Sequence, residues 1–591
     1  MNKLPKRNEI DEKYKWKLED IYSNDESYEA DFSKTEKLCK DMQAMQSGIS
    51  DAESLKKCLG LYEDMYCLVD NLFSYSRMRM DEDNSNSRYQ VLLGRARELA
   101  TKADASAAFI EPLILQLSEE VINSKVLEKY RIYLSEVLRR KKHTLSAPEE
   151  KILAQSTEAT GASQEIFSMF NNADIKFPEI KDEKGNMTEV TKGRYIAFME
   201  SKDQRVRKDA FDALNDTYGK YKNTLAASYS SNIKAAKFYS EARGYNSSLE
   251  ASLDNDNIAT DVYDNLVTTI NDNLPLLHKY VKIRAKALEM EKINMWDIYV
   301  PLVEQDDDKY SFEQACDIVS TGLGVLGDEY VSLLRKGFES GWVDVYENEG
   351  KTSGAYSWGT YMSHPFVLLN YQGTLDNVYT LAHEMGHSLH TYYSSKSQPY
   401  IYSHYKIFVA EVASTVNEIL LLKYMLAETT DKKKRAFLIN HFLETFRGTV
   451  FRQTMFAEFE KICHGSYGEG KPLSGDDFGS IHYDLNKKYY GDACEIDEKL
   501  KHEWSRIPHF YRSFYVYKYA TGFSAAAAIA KMIEDEGAPA IERYINFLKA
   551  GDSEYPLEIL KKTGVDLSTP APIEAGMKMF SSLLDEFESL V

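Results

Sequence analysis

One stretch of eleven residues constrains this chain more than any other: Thr380-Leu381-Ala382-His383-Glu384-Met385-Gly386-His387-Ser388-Leu389-His390. The apolar residues in and around it (Val378, Leu381, Ala382, Met385, Leu389) recur at helical spacing, so the segment reads as a helix with one face packed into a body. On such a helix a spacing of four brings the imidazoles of His383 and His387 onto one face, where both can bind one zinc ion. Glu384, between them, can then face the water that the zinc would carry. That is the layout of a zinc hydrolase.

A zinc site of this kind needs a third protein ligand and leaves its fourth position to water. Glu411 is the best candidate, 24 residues after His387 in a second apolar helix, Val409-Ala410-Glu411-Val412-Ala413-Ser414-Thr415-Val416-Asn417-Glu418-Ile419-Leu420. A carboxylate on an otherwise apolar helix is costly to bury unless it is paired or bound to metal. His390 continues the histidine stripe, but seven residues of helix place it about 10 Å along the axis from His383, too far to share one ion. It reads as a supporting or packing residue. Glu418, two turns beyond Glu411, is cast as the partner that orients a ligand histidine, because metal-bound imidazoles usually donate their other N–H to an oxygen. The extended H-E-x-x-H-x-x-G-x-x-H pattern is excluded, since His390 and Tyr393 stand where Gly and His would be needed. A glutamate-liganded site remains. Its chemistry follows: zinc lowers the pKa of water and polarises a scissile carbonyl, while Glu384 takes the water's proton and passes it to the leaving amine.

The rest of the chain sets the frame. At 591 residues it is too long for one ordinary core, and its 43% hydrophobic and 28% charged residues are those of a globular protein. A net charge of -20 argues against a nucleic-acid surface, which needs concentrated Lys and Arg; the acidity serves solubility, or favours basic peptides at a channel mouth. Six cysteines are scattered without a C-x-x-C pair, as in a reducing compartment. The opening Met1–Ile10 carries charge with no apolar stretch behind it, and no run of about eighteen apolar residues occurs, so neither a secretory leader nor a membrane span is expected. These readings place the protein in the cytoplasm.

From Trp16 to about Phe167 apolar residues recur at helical spacing (Leu55, Leu59, Tyr62; then Leu92, Ala96, Leu99), with Asp51 and Ser146 where N-caps belong. Between Asn172 and Tyr195 the pattern alternates: Ala173–Phe177, a turn at Asp182–Asn186, then Met187–Val190, a small hairpin. The expected division is therefore a helical N-terminal region, 1–190, and a catalytic domain, 191–591. A second departure, Gly337 to Thr374, holds two expected strands, Gly341–Tyr346 and His364–Tyr371, just before the histidine helix. A sheet edge there could grip a peptide backbone as an added strand, or the hairpin could simply pack. Downstream, Ile507–Gly522 crowds His509 and several tyrosines into one segment, a source of hydrogen-bond donors for a developing oxyanion or else an aromatic core helix.

Together these motifs resemble oligoendopeptidase F, within the thimet-oligopeptidase-like zinc peptidases. The resemblance rests on Gly354-Ala355-Tyr356-Ser357, His364-Pro365-Phe366 through Asn370-Tyr371, His383 through His390, Glu411 through Glu418, and Ile507 through Gly522, with Trp16–Tyr22 similar to that family's start. It covers nearly the whole chain. It implies a mainly α fold, a large two-lobed helical zincin body with a deep substrate channel and a small β-sheet next to the metal helix. It implies one Zn2+ per chain on His383, His387 and Glu411, with Glu384 as base and Glu418 and His390 behind the ligands. His509 and Tyr515 or Tyr517, with Tyr517 favoured, would join catalysis, and Gly354, Ala355, Tyr356, His364 and Tyr519 would meet the peptide. The expected function is cleavage of internal bonds in short oligopeptides, with no nucleic-acid or membrane partner and no particular oligomeric state implied. The alternative is a helical peptide-binding protein that has lost hydrolysis. Where the wider family carries Pro-Ser-Gln after the ligand glutamate, this chain has Ala413-Ser414-Thr415.

Overall fold

Apolar residues at three- and four-residue spacing, started by side-chain caps, make this chain overwhelmingly helical. A computed structural model describes residues 4–303 and 308–591; Met1, Asn2 and Lys3 of the opening stretch lie outside the described residues. The expected caps are in place. Asp51 accepts the Ser54 N–H at 2.8 Å to start the helix Ala52–Glu82, and Ser146 forms a reciprocal box with Glu149 before Ala147–Met169, with Pro148 in the first turn. Among the described residues, no helix is long and apolar enough to cross a membrane.

Strands are few and short: β1 (Glu179–Lys181), β2 (Met187–Glu189), β3 (Ile293–Asn294), β4 (Val343–Asp344), β5 (Tyr356–Trp358), β6 (Phe366–Leu368) and β7 (Cys494–Glu495). β1 and β2 form the antiparallel hairpin, but its first arm starts later than Ala173–Phe177. Phe170–Asp174 still winds helically, and pairing is set by the turn, where Asp182 accepts the N–H groups of Lys184 and Asn186 and Gly185 takes φ +83°. Next to the histidine helix the sheet order is β4-β6-β5, with β4 parallel and β5 antiparallel to the central β6. β5 lies in what reads from sequence as the link between two strands. Its Tyr-Ser-Trp is too short to show an alternation.

The chain divides into two compact units, each made of three segments. The first comprises Met1–Lys142, Asp307–Met425 and Ile529–Gly564; the second comprises His143–Asp306, Leu426–Ala528 and Val565–Val591. The 190/191 division falls inside the second unit rather than at an edge. In the first unit, helices Asp25–Met45, Ala52–Glu82 and Ser87–Ala107 bury Met42, Leu55, Leu59, Met65, Leu72, Met78 and Leu99 together with Trp16, Leu18 and the β6 residues Phe366 and Leu368.

A buried ionic cluster fastens the N-terminal segment of this unit to its sheet. Asp344 of β4 pairs with Lys351 at 2.7 Å and with the Arg7 guanidinium, and accepts the Trp16 N–H at 3.3 Å. Arg7 also reaches Glu82 at 3.0 Å, which takes the Trp16 indole N–H at 2.8 Å. Both Asp344 and Lys351 are essentially without solvent exposure. Burial alone would raise the Asp344 pKa, but Arg7 and Lys351 outweigh it and hold the carboxyl below its ordinary range.

Removing one member of such a cluster leaves buried charge uncompensated, so Asp344→Asn should destabilise the fold by about 3–5 kcal/mol in equilibrium denaturation. A carboxyl with a lowered folded pKa contributes stability that is complete above its unfolded value and is lost as pH falls through the folded one. The gap between wild type and variant should therefore stay level from neutral pH down to about 5 and close only below about 4. A gap that ignores acid would show that Asp344 carries no such linkage.

Candidate metal centre

The histidine helix, Leu375–Ser397, starts at a Thr374–Asn377 capping box and buries Val378, Leu381, Ala382, Met385 and Leu389. Its neighbour, the glutamate helix Ile407–Glu428, is apolar over most of its length, with Val409, Val412, Ala413, Val416 and Leu420 buried. What lets the two backbones meet is Gly386. A Cβ there would stand 2.6 Å from Ser414 Cα and 2.9 Å from the Ala413 carbonyl oxygen, distances no side chain tolerates against backbone. Two further ties hold the crossing. Asn417 donates to the Ala382 carbonyl at 3.0 Å, and the Tyr330 hydroxyl donates to Asn417 Oδ1 at 2.8 Å.

This crossing brings four of the expected residues together. His383 Nε2 and His387 Nε2 are 3.2 Å apart, and Glu411 Oε2 lies 3.5 Å from the first and 3.6 Å from the second. His383, His387 and Glu411 each offer one donor atom to a common point, as a group that could hold a metal ion. Glu418 Oε1 hydrogen-bonds His383 Nδ1, which turns Nε2 of the same ring toward Glu411. Ser414 Oγ donates to Glu411 Oε2 at 3.3 Å.

The placement of Glu411 agrees with expectation, but its reason does not. Its side chain is 38% exposed, so the carboxylate opens toward solvent and is not hidden on an apolar face. Proximity to two imidazoles distinguishes it, not burial. Glu384 is the buried one, at 7% exposure. Desolvation, reinforced by Glu411 and Glu418 and opposed by His383, pushes its carboxyl up to about 7. Burial works against charge on both imidazoles. For His383 the Glu418 hydrogen bond outweighs it and raises the ring to about 9, whereas His387, buried beside His383, is lowered to about 3.

Other expected residues are placed less uniformly. His390 is buried and stacked on Tyr405 at 3.6 Å, a packing role. β5 runs beside the histidine helix, where Ser357 Oγ meets Ser388 Oγ at 2.8 Å, and its outer edge pairs with no strand among the described residues. Gly354, at φ +87°, precedes β5 with open space at its Cβ, and its carbonyl is held by Asn370 at 2.8 Å. Ala355 follows it into the strand. The Tyr356 side chain turns the other way, donating to Asp81 at 2.8 Å. His364 spends its ring nitrogens on Asp20 (3.0 Å) and its neighbour's carbonyl (2.8 Å), and stacks on Trp342.

His509 and the tyrosines belong to the second unit. His509, in the short 3-10 helix Pro508–Tyr511, lies parallel to Tyr515 at 6.2 Å and edge-on to Tyr519 at 6.0 Å, and the two phenol rings are 5.5 Å apart. All three are only partly buried. Tyr517 does not join them. It is fully buried against Tyr263 at 5.1 Å, in the core of its own unit, which does not suit the favoured place it was expected to have among the phenols. Tyr517 is the first residue of the helix Tyr517–Glu536, whereas Tyr515 lies in the turn before it.

Gly386 and Asn417 are the residues that sequence reasoning passed over. A glycine inside an apolar helix costs about 1 kcal/mol against alanine, which is itself a signal of close backbone approach.

Comparison with known proteins places the chain in a family. Residues 197–579 match the model of peptidase family M3, and residues 114–177 match that of oligopeptidase F. Oligopeptidase PepF of Bacillus subtilis is 47% identical over all of this chain and 89% of its own length. Group B oligopeptidase PepB of Streptococcus agalactiae is 38% identical over 99% of this chain and 98% of its own. The crystal structure of oligoendopeptidase-F from Enterococcus faecium superposes with a TM-score of 0.75 at 36% identity, covering 96% of this chain and 99% of that one.

If the crossing depends on Gly386, then Gly386→Ala should cost about 1–3 kcal/mol by overpacking and lower the bound metal per chain. Gly161, in the exposed middle of a helix with nothing within 4 Å of a Cβ, is the control: Gly161→Ala should gain roughly 0.5–1 kcal/mol and leave the metal content alone. Melting curves and elemental analysis of both variants read the contrast. Equal behaviour would mean that the close approach is not what builds the site.

Proposed function

We propose that this chain, which belongs to peptidase family M3 and is a metalloendopeptidase of the oligoendopeptidase F kind, hydrolyses internal bonds of short oligopeptides with one zinc ion held by His383, His387 and Glu411. The observation that carries the reading is the donor triangle. Ligands held tetrahedrally at about 2.0–2.2 Å from zinc lie about 3.3–3.6 Å from one another. The separations here are 3.2, 3.5 and 3.6 Å, from two imidazoles and a carboxylate, a donor set that suits zinc. Zinc bound there would polarise a peptide carbonyl and make water a stronger nucleophile at neutral pH.

The side chains then divide the work. Glu418 fixes the His383 ring so that Nε2, not Nδ1, serves as the donor. Glu384, desolvated and one residue from His383, accepts a proton from the attacking water at its carboxylate and returns it to the departing amine. The outer edge of β5 takes the peptide backbone as an added strand, with Gly354 and Ala355 leading into it. His509 with Tyr515 or Tyr519 hydrogen-bonds the bound peptide or its developing oxyanion, a role that rests on the resemblance to oligoendopeptidase F. Substrates are short, and folded proteins are excluded. With all six cysteines free, a reducing compartment, the cytoplasm, suits the chain.

Glu384→Gln keeps the ligands and removes the base, so kcat on a short internally quenched peptide should fall by about 10²-fold or more while bound zinc stays at one per chain. Unchanged turnover would remove the mechanism. Glu418→Ala should weaken zinc affinity by about 10- to 100-fold in a chelator competition. A denatured protein should be cut far more slowly than the peptide; equal rates would refute the size limit.

A further inference from the structure

The segment that carries His509, Tyr515 and Tyr519 contains a backbone outlier that the proposed chemistry does not use. Phe514 has φ +60°, in the left-handed region, and its ring is buried. A bulky residue stays in that conformation only where its surroundings over-determine it, and such outliers gather at functional sites. Here the surroundings are specific. The Phe514 N–H donates to Glu460 Oε1 at 2.8 Å, from the buried side of the helix Arg452–Gly468. The Phe514 ring packs on His464 at 4.5 Å and edge-on to Tyr263 at 5.9 Å. On the preceding residue, Ser252 donates to the Ser513 carbonyl at 3.1 Å.

Glu460 has no solvent exposure, and its second oxygen has no hydrogen-bond partner among the described residues. A carboxyl so placed, with only one backbone donor, is costly to ionise, and burial pushes its pKa well above the ordinary range. A carboxyl group is therefore retained in an apolar interior to make one contact, and that contact is to the strained residue. The turn at Phe514 lies between the 3-10 helix Pro508–Tyr511 and the helix Tyr517–Glu536, and across it the His509 ring faces Tyr515 and stands edge-on to Tyr519.

We propose that Glu460 is a positioning residue of this peptidase: by accepting the Phe514 N–H it holds the left-handed turn that sets His509 against Tyr515 and Tyr519. The inference rests on the reading that those three side chains act on the bound peptide, and it assigns Glu460 no contact with substrate.

The test uses the full chain with zinc bound, measuring kcat, KM and metal content on the short peptide. Glu460→Gln keeps a neutral oxygen of the same reach, so it should retain most of the activity. Glu460→Leu should lower kcat by about 10- to 100-fold at unchanged metal content, as misplacement of a positioned group does. Glu460→Asp draws the oxygen back without emptying the site, and keeps the test decisive if the leucine variant fails to fold. It should lower kcat in the wild-type background, yet cost nothing further in a chain already carrying His509→Ala, Tyr515→Phe and Tyr519→Phe. An equal fold-loss in both backgrounds, or full activity in a folded Glu460→Asp chain, would overturn the proposal. If the triple variant itself keeps the wild-type kcat and KM, the role given to His509 and the tyrosines falls instead.

Discussion

The missing side chain at position 386 is the constraint on which the geometry of the candidate metal centre depends. Two helices normally keep their axes about 8–10 Å apart because side chains fill the space between them. At Gly386 the histidine helix presents bare backbone to Ser414 and Ala413, and the glutamate helix settles against it. Glu411 lies three residues before Ser414 and Glu418 four residues after it, so each is about one turn from the contact. The same crossing therefore supplies the third donor atom on one side of it and the ring-orienting carboxylate on the other. Asn417 adds a directional tie between them, with its amide on Ala382, one residue before His383, and Tyr330 behind it.

Electrostatics then sort three carboxylates that are chemically alike. Glu411 is partly exposed and faces two imidazole nitrogens without a hydrogen bond to either. Glu418 is bound to the outer nitrogen of one ring. Glu384 is the most enclosed, and it is the one whose carboxyl is pushed up toward neutrality. These three environments suit the proposed roles of ligand, orienting acceptor and proton carrier, and desolvation sets Glu384 apart. A cation at the donor triangle would add positive charge beside Glu384 and favour its ionised form.

Much of this was legible in the sequence because helical phase converts residue spacing directly into geometry. His383, His387, Glu411 and Glu418 were read from intervals of four, twenty-four and seven on two apolar helices, and the structure brings those four side chains together. Phase carries no information across a break in the helix. Tyr515, Tyr517 and Tyr519 look equivalent in a list of aromatic residues, but the helix starts only at 517 and a left-handed residue stands at 514, so which phenols face outward could not be counted from His509. The reason given for Glu411 failed differently, since an apolar flank indicates a buried helix but not which of its residues sits at the rim. β5 and the true first arm of the hairpin were missed because strands of three residues are defined by their partners rather than by their own pattern. The compact units were hidden for a related reason: each is assembled from three separated segments, and no local change of composition marks those seams.

Position 514 shows why a chain would keep an unfavourable residue where glycine is the easy solution. Most left-handed positions among the described residues are glycines, and of the exceptions, Asn257, Glu289 and Phe514, only Phe514 is aromatic. Glycine would remove the steric cost, about 1–2 kcal/mol for a side chain in this region. It would also leave the turn free to adopt other conformations, since glycine populates both halves of the map about equally. Glycine would keep the backbone N–H aimed at Glu460, and phenylalanine adds to it a second attachment, a ring packed on His464 and Tyr263. The strain is therefore coupled to a single backbone geometry. In the role proposed for His509, Tyr515 and Tyr519, donors held in a fixed arrangement would benefit from a turn that has lost its alternatives, even at a cost in stability.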